Sequence, residues 1–94
     1  MKIELTTDFQ FDLLEIVSFI ARDKPLASRK FKNDLIRNIQ KDLINPYNFK
    51  KSIYFDDQKY RDYVFKGYTT FCKVDSKKEI VYIIGILKYR KSFY

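Results

Sequence analysis

Beyond its first few residues, the apolar pattern of this 94-residue chain changes period near residue 59, and that switch limits what the chain can fold into. Before it, Phe9, Leu13, Ile16, Val17 and Ile20 recur at helical spacing, and so do Phe31, Leu35, Ile36, Ile39 and Leu43. After it the side chains alternate. In YRDYVFK, Arg61, Tyr63 and Phe65 share one face, and Asp62, Val64 and Lys66 share the other. A helical half followed by a sheet half predicts an α+β domain.

Local signals divide the two halves. KIELT alternates and reads as a short strand. In TTDFQ, Thr7 can cap a helix with Gln10 as its capping-box partner. That helix ends near Asp23 or Lys24, because the residue before Pro25 is pushed out of helical angles. Pro25 then opens a second helix that runs from residue 26 to about 44, and the short connection makes an αα-hairpin. NPYN at 45–48 stops it. The stretch 45–59 is the least regular, with a short strand expected around Ile53 to Phe55. KGY makes a tight turn with Gly67 free to take positive φ, YTTFCKV returns, DSKKE turns again, and IVYIIGILKY is the last strand. Its apolar character on both faces places it inside the sheet. The expected fold is a single domain over 1–94. It has a short N-terminal strand, the hairpin and a three-strand antiparallel meander, with the helices packed on one sheet face and the other face left over.

Composition bounds the chemistry. A chain this size buries roughly 60–65% of its unfolded surface, which allows one core. With 8 Tyr, 9 Phe and no Trp, the aromatics must supply much of it. A single cysteine, Cys72, and no histidine exclude an internal disulfide, the usual zinc-ligand sets and any Ser–His or Cys–His nucleophile pair. No metal or cofactor is expected; Asp56 and Asp57 are adjacent acids without further ligands, and Cys72 reads as an inert interior thiol. MKIELTTDF has no apolar signal region, and Ile80 to Leu87 is too short to span a bilayer as a helix, so a cytoplasmic protein is expected.

The net charge of +7 is unevenly placed. Residues 1–47 carry eight basic and seven acidic side chains, whereas residues 48–94 carry eleven and five. A one-sided positive field attracts nucleic acid or an acidic protein. The end of the chain, LKYRKSFY, concentrates this character. Lys88, Arg90 and Lys91 can hold phosphate or carboxylate groups, and Tyr89, Phe93 and Tyr94 can stack on bases or anchor a protein interface. If the strands pair as a meander, Arg61 and Arg90 reach the same uncovered sheet face. The alternative is that a basic end merely solubilises an exposed sheet edge. The residues alone leave both readings open.

The order of these motifs resembles the RelE/ParE superfamily of bacterial toxins from type II toxin–antitoxin systems. The resemblance is carried by DLLEIVSFIARDKPLASRKF, by LINP and by YRDYVFKGYTTFCKVDSKKEIVYIIGILKYRK, in that order over some eighty residues. It implies a small growth inhibitor neutralised by an acidic antitoxin, which would lie across the hairpin or the sheet and fold as it binds. DNA would be met only through that antitoxin, and no membrane is implied. RelE-like members cleave mRNA on the ribosome, and ParE-like members block DNA gyrase. Arg61 falls where RelE-like enzymes place a lysine, Tyr63 where they place a second lysine, and Thr69 where they place an arginine. Arg90 matches the terminal-strand arginine, and Tyr94 the C-terminal tyrosine with a small spacing difference. Phosphodiester cleavage needs fixed cations, and losing one such group costs ~10²–10³ in rate. The ParE-like reading, target inhibition by protein binding, is therefore favoured. In the RelE-like alternative, an endoribonuclease, Arg61, Arg90 and Tyr94 would be catalytic. A third reading is a non-toxic binding module of the same fold. In the binding readings, Arg61, Lys88, Tyr89, Arg90, Lys91, Phe93 and Tyr94 would form the partner surface.

Overall fold

The computed structural model of the chain describes residues 1–88. The elements are β1 (Lys2–Leu5), α1 (Thr7–Ala21), α2 (Pro25–Asp42), a single 3-10 turn (Pro46–Asn48), β2 (Tyr60–Phe65), β3 (Tyr68–Asp75) and β4 (Ile80–Lys88). The strands form one sheet in the order β1-β4-β3-β2, with β1 parallel to β4 and the other pairs antiparallel. The meander is as the alternation predicts, and the N-terminal strand extends it by pairing beside β4. That placement gives β4 a neighbour on each side and accounts for its continuous apolar run.

The caps explain where the helices begin. Thr6, one residue before the expected Thr7, caps α1: its Oγ1 accepts from the Phe9 amide at 3.2 Å and donates to the Ile83 carbonyl at 2.7 Å. One hydroxyl thus closes the helix start and ties it to β4, which Thr7 is not placed to do. Gln10 turns back to the Leu5 carbonyl instead, at 3.0 Å. Pro25 opens α2 as expected. Buried Ser28 then locks the hairpin by donating to the Val17 carbonyl at 2.6 Å.

The hairpin lies on one sheet face. Phe9 and Leu13 of α1, and Phe31, Leu35 and Ile39 of α2, meet Tyr63, Cys72, Val81, Ile83 and Ile86 in the core. Ile83 and Ile86 are three residues apart, so a regular strand would point them to opposite faces. A bulge resolves this. Phe71 pairs with Gly85 while Cys72 pairs with Ile83, leaving Ile84 without a partner position and reversing the parity of the strand beyond it. Gly85 fits there because a Cβ would come within 3.3 Å of both the Asp12 carboxylate and the Phe71 ring. At the first hairpin turn, Lys66 and Gly67 both take positive φ (48° and 82°), as a tight two-residue turn demands. The segment after α2 departs from expectation. No strand forms at Ile53 to Phe55; instead Lys51 bridges Arg61 at the edge of β2, and the Asp57, Gln58 and Lys59 turn leads straight into the strand.

Two core groups are held neutral. Burial, then the hydrogen bond its hydroxyl donates to Asp42 at 2.5 Å, raises the Tyr63 phenol above its usual range. Burial pushes the Cys72 thiol up to about 12. Both groups are raised relative to the unfolded chain, where they ionise near ~10 and ~8.5. The stability they contribute is therefore full below about pH 8.5 and is lost as pH rises toward the folded values. Tyr63→Phe is expected to cost about 1–2 kcal/mol at neutral pH in a urea titration, since it strips a hydrogen bond from a carboxylate. The same variant should show a shallower loss of stability between about pH 9 and 12 than the parent.

Candidate functional site

The face of the sheet away from the helices carries the side chains of alternate residues. The register aligns them in three rows: Tyr60, Lys73 and Tyr82; Asp62, Phe71 and Gly85; Val64, Thr69 and Leu87. The loop after α2 covers the lower rows. Phe55 stacks on Tyr60 with ring centres 4.2 Å apart, Tyr54 meets Phe71 edge-on at 5.0 Å, and Lys73 sits 5.9 Å over the Tyr60 ring. Asp62 holds this loop by accepting from the Ile53 amide at 3.2 Å.

In the upper row, two side chains remain exposed among the described residues. Val64 is 57% exposed and Leu87 39%, and Thr69 lies buried between them. Ile53, 81% exposed, stands beside Tyr54 on the rim of a depression of about 490 Å³ that reaches Val64 and Thr69, with Lys50 and Lys51 on its margin. The arrangement is an apolar centre with a basic edge, the anatomy of a protein-binding patch. Among the described residues, the cations that line it are Lys50 and Lys51. Among the described residues, no group of three His, Cys, Asp or Glu side chains is placed to hold a metal ion.

The structure places Arg61 elsewhere than on this face. It shares its side of β2 with Tyr63 and Phe65, which pack toward the helices, and it pairs with the core residue Cys72. The expectation that Arg61 reaches the uncovered face is therefore corrected. Alternation groups Arg61 with Tyr63 and Phe65, but it does not encode which side of the sheet the helices cover. The Arg61 guanidinium is also occupied. Nε and Nη2 donate to the Gln58 carbonyl at 3.1 and 3.0 Å, Nη1 donates to the Phe49 carbonyl at 3.0 Å, and the plane lies 4.7 Å over the Tyr47 ring. It buckles both ends of the loop to β2.

Lys88 is exposed, and past the bulge its register position matches Tyr68, whose ring packs 5.0 Å from Phe31 of α2. It belongs to the helix side of the sheet end and not to the Thr69 row. Tyr89, Arg90, Lys91, Phe93 and Tyr94 lie outside the described residues. The sequence reading missed Ile53, Val64 and Leu87. The available signal was Val64, an apolar residue between Asp62 and Lys66 on its strand face.

A second apolar surface lies on the hairpin. A groove of about 490 Å³ runs between α1 and α2, lined by Leu5, Phe11, Leu14, Val17 and Ile36, with Lys32 on its wall. Phe11 and Leu14 are 63% and 62% exposed there. α1 carries three acids and no base, and α2 carries five bases and two acids, but the one charged side chain that lines the groove is Lys32. No helix among the described residues is long and apolar enough to cross a membrane.

Residues 3–93 match the model of the ParE toxin of the type II toxin–antitoxin system, parDE. The fold is similar to a chain of the chromosomal ParDE toxin–antitoxin system from P. aeruginosa, with a TM-score of 0.76 and 16% identity over 96% of this chain and 97% of that one. It is less similar to a chain of the RelBE2 toxin–antitoxin complex from Mycobacterium tuberculosis, with a TM-score of 0.54 and 11% identity over 95% and 96%. No curated protein matches the chain. The Arg61 buckle yields a direct test. Arg61→Ala is expected to speed proteolytic cleavage within residues 50–59 at least several-fold and to lower stability by about 1–3 kcal/mol, because the loop carbonyls lose a charged donor.

Proposed function

Because the chain belongs to the ParE toxin family of type II toxin–antitoxin systems, we propose that it arrests growth by docking on a protein target, DNA gyrase, through the uncovered face of its sheet. The observation that carries this reading is Thr69. The position where RelE-like nucleases place an arginine is here a buried threonine at the centre of an apolar row, between Val64 and Leu87. A row of this kind excludes water and anchors a protein surface; it does not stabilise negative charge on a phosphate. Arg61 points the same way, since its donors are spent on the loop and an arginine so engaged is a poor phosphate clamp.

The cognate antitoxin fits the other apolar surface. We infer that an acidic segment lies in the hairpin groove, places apolar side chains against Phe11, Leu14 and Ile36, and sets its carboxylates near Lys32 and Arg29 of α2. Such a segment is disordered alone and folds on binding. The family setting supports a cytoplasmic site of action.

Purified protein at micromolar concentration should inhibit gyrase supercoiling and leave mRNA uncut in a translating extract. Val64→Lys with Leu87→Lys should raise the concentration needed at least ~10-fold, the cost of charging an interface centre, while Leu14→Lys leaves inhibition intact. Supercoiling that continues unchanged, or A-site cleavage in the extract, would contradict the proposal.

A further inference from the structure

The two edges of the sheet are treated differently. Along β2, the loop after α2 occupies the edge: the Ser52 amide donates to the Tyr60 carbonyl at 2.9 Å, and the Asp62 amide donates to the Lys50 carbonyl at 3.1 Å. β1 has β4 on one side and, among the described residues, no strand on the other. Two bonds set its parity, from the Lys2 amide to the Glu79 carbonyl at 2.9 Å and from the Thr6 amide to the Ile83 carbonyl at 3.1 Å. Lys2, Glu4 and Thr6 therefore turn their backbone groups toward β4, and Ile3 and Leu5 turn theirs away. Gln10 meets the Leu5 carbonyl at 3.0 Å. The Ile3 N–H and C=O have no partner among the described residues. Natural edges are guarded by shortness and by charge, lysine above all. β1 has four residues; its Lys2 and Glu4 side chains are exposed, while Ile3 and Leu5 pack against the core. That guard turns away a generic strand, but it cancels against itself.

We propose that β1 pairs antiparallel with β1 of a second copy of this chain, about a two-fold axis at Ile3, joining two four-strand sheets into one of eight. Ile3 of each copy exchanges both backbone bonds with Ile3 of the other. Lys2 then falls directly opposite Glu4 of the second copy, and Glu4 opposite Lys2 of the second copy. These are the closely spaced, non-hydrogen-bonded positions where side chains meet. Charge also chooses the register. A slide of two residues one way sets Glu4 against Glu4, the other way sets Lys2 against Lys2, and like charges directly opposite are destabilising. The same pattern selects the occupant. An acidic segment satisfies Lys2 but meets Glu4, and a basic one does the reverse. A strand reading base, apolar, acid satisfies both when it enters antiparallel, and β1 is such a strand. The contact is isologous, so it closes at two copies. It lies in the half of the chain where charge is nearly balanced, eight basic against seven acidic side chains over residues 1–47, so the excess of +7 resides mainly elsewhere. It uses neither Val64 and Leu87 nor Phe11 and Leu14, and stands independently of the gyrase and antitoxin readings.

The test is sedimentation equilibrium of the untagged full chain at rising concentration, up to about 1 mM. The mass of the parent is expected to rise toward twice that of the monomer and no further. K2E and E4K should each weaken association at least about tenfold, since each turns both opposite-charge pairs into like-charge pairs. The two substitutions move the net charge in opposite directions, so a loss in both is not a net-charge effect. An equimolar mixture of K2E and E4K should dimerise within about threefold of the parent, because the acids of one chain then face the bases of the other. The double variant K2E/E4K should recover in the same way. Both side chains are exposed, so the fold of each variant does not hang on them. L14K, on the hairpin surface, should associate as the parent does. A parent that stays monomeric, a K2E or E4K chain that associates as tightly as the parent, a mixture no tighter than its components, or association lost in L14K would each overturn the proposal.

Discussion

One packing constraint organises this domain: two helices cover one face of a four-strand sheet, and among the described residues no layer of comparable size covers the other. Phe9, Leu35, Ile39, Val81 and Ile83 are fully buried between those layers, and they fix which side of each strand is spent on stability. Each fully buried aliphatic or aromatic side chain of this kind contributes about 1.5–3 kcal/mol. A domain of this size has no second core to bury the opposite face. The outward side chains of β2, β3 and β4 are therefore left to a loop or to a partner.

The loop takes most of that face. Tyr54 and Phe55 close over Phe71 and Tyr60, and Arg61 and Asp62 pin the loop from its two sides. In the row of Val64, Thr69 and Leu87, Val64 and Leu87 remain exposed among the described residues. An arginine that would serve as a phosphate clamp in an open nuclease cleft is here a structural buckle. The same loop that consumes its donors also shapes the rim of the apolar depression. The parity of the strands thus separates the residues spent on the core from those that face outward, and the bulge at Gly85 lets β4 supply core residues on both sides of it.

Much of this was legible in the sequence. The period switch, Pro25 and the KGY turn foretold the hairpin and meander, and the apolar run of Ile80 to Leu87 foretold a central strand. What could not be read was which face of β2 the helices would cover, because Arg61 and Tyr63 alternate with Asp62 and Val64 on either choice. The bulge was also hidden, since one unpaired residue leaves no mark in a strand that is apolar throughout. The cap moved from Thr7 to Thr6 for a tertiary reason, the Ile83 carbonyl, that no local pattern contains. The site reading leaned on charge and on the chain end, whereas the open patch is built from aliphatic residues that charge patterning overlooks.

The central claim is that target and antitoxin occupy opposite faces, with the target on the Thr69 row. A photo-crosslinking residue placed at Val64, with a matched one at Leu14, tests it most directly in a mixture with purified gyrase. The account predicts that the probe at Val64 captures gyrase and the probe at Leu14 does not. Capture from Leu14 with none from Val64 would contradict it.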